Sequence, residues 1–186
     1  MRSGAASSAA WPPRPASTPR VEASAETFAF LRDVRVFESF SDPDLAVVTE
    51  RLRERDLRRR QILFREGDRG DEMFIVRRGT MLISKAVTGK VEQVLVRVEP
   101  FDFFGEMSLF DGSPRSATAQ AETDAELLIL GRDSLQAMTE TAPHAAAAFF
   151  YAMVKVFMDR LRRSTQQVAE ATRWGLEATG LDIEAR

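Results

Sequence analysis

Apolar positions recur along the chain in three textures. Phe28, Leu31, Val34 and Phe37 fall three apart, which predicts a short helix. Ser41-Asp42-Pro43-Asp44 then reads as a helix start. The serine can accept from a free amide, the proline suits the first turn, and the acids sit at the positive end of the dipole. That helix is predicted to reach about Arg53, burying Leu45, Val48 and Leu52. From Arg55 to Leu130 the period shortens toward two. Ile62 and Phe64 alternate, and Met73 to Val76 follows a Gly67/Gly70 turn. Met81 to Val87 meets Val91 to Val98 across a hairpin at Thr88-Gly89-Lys90, with Val94, Val96 and Val98 predicted on one side. Ser116 to Ala121 and Ala125 to Leu130 close the series. Many short strands at roughly 8–12-residue intervals predict a sandwich or barrel.

The last texture is helical. Arg132 to Thr141 predicts a short helix, and Pro143 opens one that continues to about Trp174. About 31 residues at 1.5 Å each span roughly 46 Å, more than a small domain needs. Phe150, Val154, Phe157, Leu161, Thr165 and Val168 form an approximate heptad seam along it.

Composition trims the choices. Residues 1–25 hold seven Ala, five Ser and four Pro, so this segment is expected to be a disordered tail. A folded domain is expected over residues 26–142, a long helix over 143–174 and a short tail over 175–186. Hydrophobic residues are 44% of the chain and its net charge is −2, so a buried core is available and no global field attracts nucleic acid. The arginine run from Arg51 to Arg60 is broken by Glu54 and Asp56 and reads as a solvated helix end and edge strand. No apolar run is long enough to cross a bilayer. With no cysteine and one histidine, His144, a thiolate or clustered-imidazole metal site is out of reach, as is cysteine nucleophilic chemistry.

The candidate chemistry lies between Phe101 and Ala119. Gly105-Glu106 interrupts an apolar run, and a carboxylate there is costly unless something hydrogen-bonds it. Nine residues on stands Arg115, at the opening of a strand. Glycine lets a ligand approach the backbone, a short helix starting after it supplies free amides, and arginine offers a planar fork matched to phosphate oxygens. A glutamate beside phosphate would repel it unless the carboxylate accepts from a hydroxyl instead. Phosphate, an adjacent hydroxyl and apolar walls together suit a nucleotide whose ribose 2′-OH is free.

Gly105-Glu106-Met107-Ser108-Leu109 followed by Pro114-Arg115-Ser116-Ala117-Thr118 resembles the phosphate-binding cassette of cyclic nucleotide-binding domains. That module serves the catabolite activator protein family, cyclic-nucleotide-gated channels and protein kinase A regulatory subunits. The resemblance extends through Ile62 to Asp68 and Phe74 to Gly79, and covers roughly residues 28–172. It implies a mainly β fold: a jelly-roll-like antiparallel β-roll with N-terminal helices and a long C-terminal helix. It implies that Arg115 pairs with the cyclic phosphate and Glu106 accepts from the ribose 2′-OH. Gly105 and the amides of Glu106 and Met107 complete the cradle, flanked by Ser108 and Ala117. Ser116 adds a hydroxyl and leans the site toward cAMP over cGMP, and Ser164 or Thr165 on the long helix would meet the base.

The expected protein is thus a non-enzymatic cyclic nucleotide sensor with no resident cofactor, cAMP or cGMP being its ligand. Residues 175–186 are too few for a DNA-reading domain of about 50 residues. Its output is expected from the long helix, through a homodimer or an unidentified protein partner, in the cytoplasm and without DNA or membrane. A ligand-independent interaction module on the same fold is the alternative.

Overall fold

The computed structural model describes residues 20–88 and 91–178. Helix α1 (Ala25–Asp33) is capped by Ser24, whose hydroxyl accepts from the Thr27 amide at 3.1 Å. Helix α2 (Asp42–Thr49) is capped by Ser41, as its start motif predicts. Eight strands follow: β1 (Arg53–Leu57), β2 (Ile62–Phe64), β3 (Glu72–Arg78), β4 (Met81–Thr88), β5 (Val91–Val98), β6 (Phe103–Phe104), β7 (Thr118–Ala121) and β8 (Ala125–Gly131). They form two antiparallel four-stranded sheets, β1-β8-β3-β6 and β2-β7-β4-β5. Between β6 and β7 lies α3 (Glu106–Asp111), and α4 (Arg132–Thr141) leads into α5 (Pro143–Ala178).

Strands β3 and β8, at the centre of the first sheet, are buried on both faces, which is why they read as nearly continuous apolar runs. Leu57, Phe74, Val76, Phe104, Leu127 and Ile129 of this sheet face the second sheet, where they meet Phe64, Met81 and Ala119. Met73, Ile75, Leu128 and Leu130 face outward onto the helices, against Leu31, Leu45, Met138 and Phe149. One strand thereby serves two cores, with its period-two alternation sorting the side chains. The first half of α5 docks there through Ala145, Ala146, Phe149, Ala152, Met153 and Val156, all buried.

Several elements differ from the sequence expectation. Residues 20–25 are tied to the fold: Val21 is buried in the helical core and its amide donates to the Leu52 carbonyl at 3.1 Å. The expected disordered tail of residues 1–25 is corrected for residues 20–25, while residues 1–19 lie outside the described residues. Helix α1 stops at Asp33, and Val34 and Phe37 are carried by successive three-residue turns. A spacing of three fits such tight turns better than the 3.6-residue helix. Helix α2 ends at Thr49, and Arg53 already belongs to β1, the charged edge strand. The three valines of β5 do not share one environment: Leu95 is the extra residue of a β-bulge opposite Ile83/Ser84, leaving Val98 buried and Val94 and Val96 exposed. Thr88 pairs with Val91, and the turn residues Gly89 and Lys90 lie outside the described residues. Helix α5 runs through residues 175–178 of the expected tail, and residues 179–186 are outside the description.

Candidate functional site

The cassette sits where the two sheets and α5 converge. Gly105 takes a left-handed conformation, φ +79°, which only glycine adopts without cost, and so turns β6 into α3. A Cβ at Gly105 would lie 2.8 Å from Arg115 Nη1 and 3.2 Å from the Glu72 carbonyl, so the close approach also needs glycine. Gly70 packs as tightly against the other side of the guanidinium.

Arg115 is only 2% exposed. Its Nη1 donates to the Glu72 and Gly105 carbonyls, both at 2.8 Å, and its guanidinium stands 4.3 Å from the Phe64 ring centroid. The other edge of the fork, Nε and Nη2, is buried without a hydrogen-bond partner. Each such orphaned donor costs about 1–3 kcal/mol, more when charged. Burial holds its pKa down to about 10, against the opposing pull of Glu72, Asp71, Glu106 and Asp68, so the cation persists at neutral pH.

Glu106, at the start of α3, is also buried. Its carboxylate pairs with Arg160 of α5. The Arg160 fork also donates to the Phe103 carbonyl at 2.9 Å, and its guanidinium lies over the Phe103 ring at 4.8 Å. Arg160 was not legible as a site residue, because its 54-residue separation from Glu106 carries no local signal and depends on the register of α5.

These groups line a cavity of about 450 Å³. Gly105, Glu106, Met107, Ser108, Arg115, Ser116 and Ala117 all reach it, and Phe64, Ile83, Leu95, Val96 and Val98 supply apolar wall. From α5 come Arg160, Arg163, Ser164 and Gln167, and from the α1–α2 connection Arg35. Ser164 is therefore placed at the cavity, whereas Thr165 is absent from its lining. The Thr165 hydroxyl donates to the Leu161 carbonyl at 3.0 Å, one turn back on its own helix. The residue one turn beyond Arg163, Gln167, takes the polar position that sequence reasoning gave to Thr165. Among the described residues, no group of three or more His, Asp or Glu could hold a metal ion.

A two-sheet roll that holds a half-satisfied buried arginine beside a carboxylate defines a ligand-binding β-roll. Its family follows from comparison: residues 54–142 match the model of the cyclic nucleotide-binding domain, which places that segment in the family. It is similar to the CRP-like cAMP-activated global transcriptional regulator of Mycobacterium tuberculosis, 28% identical over 73% of this chain and 58% of that protein. The chain thus spans little more than half of that relative's length. The N-terminal domain of a transcriptional regulator from Streptomyces coelicolor A3(2) is 33% identical, with a TM-score of 0.65 over 75% of this chain and 94% of that one. The regulatory domain of Toxoplasma gondii PKA, solved with cAMP, is 34% identical, with a TM-score of 0.55 over 60% of this chain and 42% of that one.

Proposed function

We propose that this chain is a cyclic nucleotide sensor, with cAMP ahead of cGMP, which signals through movement of α5. The observation that carries the reading is the Nε/Nη2 edge of Arg115: a buried, charged fork without acceptors, on the cavity that Glu106 also lines. A cyclic phosphodiester supplies the missing acceptors, in the bidentate geometry that guanidinium favours. The Glu106 carboxylate accepts from the ribose 2′-OH, which requires Arg160 to yield or share it. The base then lies along the β4–β5 wall, beneath Ser164 and Gln167, and Ser116 favours adenine. A cAMP-activated relative and a neighbour solved with cAMP support the same ligand class.

No reaction is needed for this role, and the chain is read as non-catalytic and cytoplasmic. No described helix is long and apolar enough to cross a membrane. Switching requires the ligand to favour one position of α5 by a few kcal/mol, which two or three charge-assisted bonds at about 1.5–3 kcal/mol each supply. The output surface is the exposed side of α5, offered to a second copy or to another protein.

Arg115→Ala is expected to abolish cAMP binding in calorimetry while the far-ultraviolet spectrum stays folded. Undiminished binding in that variant defeats the assignment. One observation favours a second reading, a module that works without ligand: Arg160 already satisfies Glu106, and the exposed face of α5 needs no nucleotide to exist. Thermal shifts with cAMP, cGMP and cyclic dinucleotides separate the two, because only a sensor gains stability from its ligand.

A further inference from the structure

The cassette helix α3 is held at both ends, and its far end is held by the first residue of another helix. Arg132 opens α4, and its amide donates to the Asp71 carbonyl at 2.8 Å, which fixes the start of α4 to the loop that enters β3. Its side chain reaches back 24 residues to donate from Nη2 to the Ser108 carbonyl, within α3. Gly112, the left-handed residue that ends α3, lies against the same guanidinium, where an added Cβ would stand 3.1 Å from Nη1. A cation at this position also complements the negative end of the α3 dipole. Yet Arg132 Nε is buried without a partner, so the fork holds α3 by one edge only.

We infer that Arg132 is the positioning residue that ties the cassette helix to α4, and through the α4–α5 corner to the long helix. The inference rests on the cyclic nucleotide reading, and it adds the route by which occupancy is passed on. Ligand pulls on the Gly105 end of α3. The Ser108 end carries Arg132 with it, the vacant Nε takes a second carbonyl of that end, and α4 turns with its first residue. Phe110 of α3 also touches α5 directly, its ring 6.2 Å from Phe149 and 5.7 Å from Phe157. Those contacts are apolar and undirected, whereas the guanidinium bonds a defined carbonyl of α3.

The chain has no cysteine, so spin labels can be placed at will on the exposed pair Asp56→Cys in β1 and Ala169→Cys in α5. With Arg132 intact, saturating cAMP is expected to move the label-to-label distance by about 2 Å or more. Arg132→Gln is expected to keep cAMP affinity within about tenfold by calorimetry while losing most of that movement, and Arg132→Lys to keep it. Gly112→Ala, which crowds the guanidinium from the other side, is expected to reduce the movement in the same way and decides the matter if Arg132→Gln is too unstable to label. Full movement in Arg132→Gln or in Gly112→Ala overturns the route while leaving the sensor reading intact. A labelled parent that neither binds nor responds to any cyclic nucleotide overturns both.

Discussion

At Gly105 two demands meet in one residue: a φ of +79° and a guanidinium too close to admit a methyl group. Gly105→Ala is expected to destabilise the fold by about 1–2 kcal/mol from the left-handed backbone alone, read as a lower urea midpoint, and to weaken cAMP binding as Arg115 is displaced. A variant as stable as the parent that binds equally well removes the close approach from the argument. Arg115 and Glu106 were legible in the sequence because the cassette is a local motif whose parts sit nine positions apart, with glycine and proline marking the turns. Arg160 and Gln167 were not. Their roles depend on which face of a 36-residue helix turns inward, a fact set by the apolar docking of its first half. Thr165 shows the same dependence from the other side, since a shift of two positions on α5 separates a cavity residue from one bonded to its own helix.

Among the elements, α5 is the one whose attachments matter most. Its start is tied to α2 by His144, whose Nδ1 lies 2.9 Å from Asp44 Oδ1. The His144 side chain is otherwise largely open to solvent. The Asp44 bond raises the imidazole above its ordinary 6.5 and holds the carboxyl below its ordinary 3.8. The stabilising share of the raised imidazole is complete below pH 6.5 and fades as pH rises through its higher folded value. The share of the lowered carboxyl is present above 3.8 and is lost as pH falls through its lower folded value. His144→Gln is therefore expected to flatten the fall of Tm between about pH 6 and 8, as followed by circular dichroism; an unchanged slope defeats the pairing. The apolar dock carries more weight. Phe149 is fully buried against Phe37, and Phe149→Ala is expected to cost about 3–5 kcal/mol, measured by chemical denaturation. Strand β1 was hard to place from sequence for the opposite reason. Arg53-Glu54-Arg55-Asp56 is charged, and it is held as a strand by pairing along β8 rather than by its own pattern.

Across the whole molecule, the β-roll and the order of its elements were readable because glycines and alternating apolar residues punctuate nearly every strand. The depth of the helical layer was not, since alternate residues of β3 and β8 serve two different cores and sequence alone does not say which face meets which. Beyond its dock, α5 presents Val154, Met158, Leu161 and Val168, each about half exposed or more. If a second copy covers this side, Val154→Glu with Leu161→Glu is expected to leave monomers in sedimentation equilibrium where the parent dimerises; a parent that stays monomeric at every loading removes the dimer. The seat of Arg115 carries a different consequence. Phe64 and Phe74 cradle its charge and are also tiles of the inter-sheet interior, the latter ring 5.4 Å from the guanidinium carbon. Drift in the hydrophobic filling of the roll can thus retune how firmly an anion is held without altering any group that touches it. Descendants of this sequence could diverge in sensitivity while their recognition motif stays letter for letter the same.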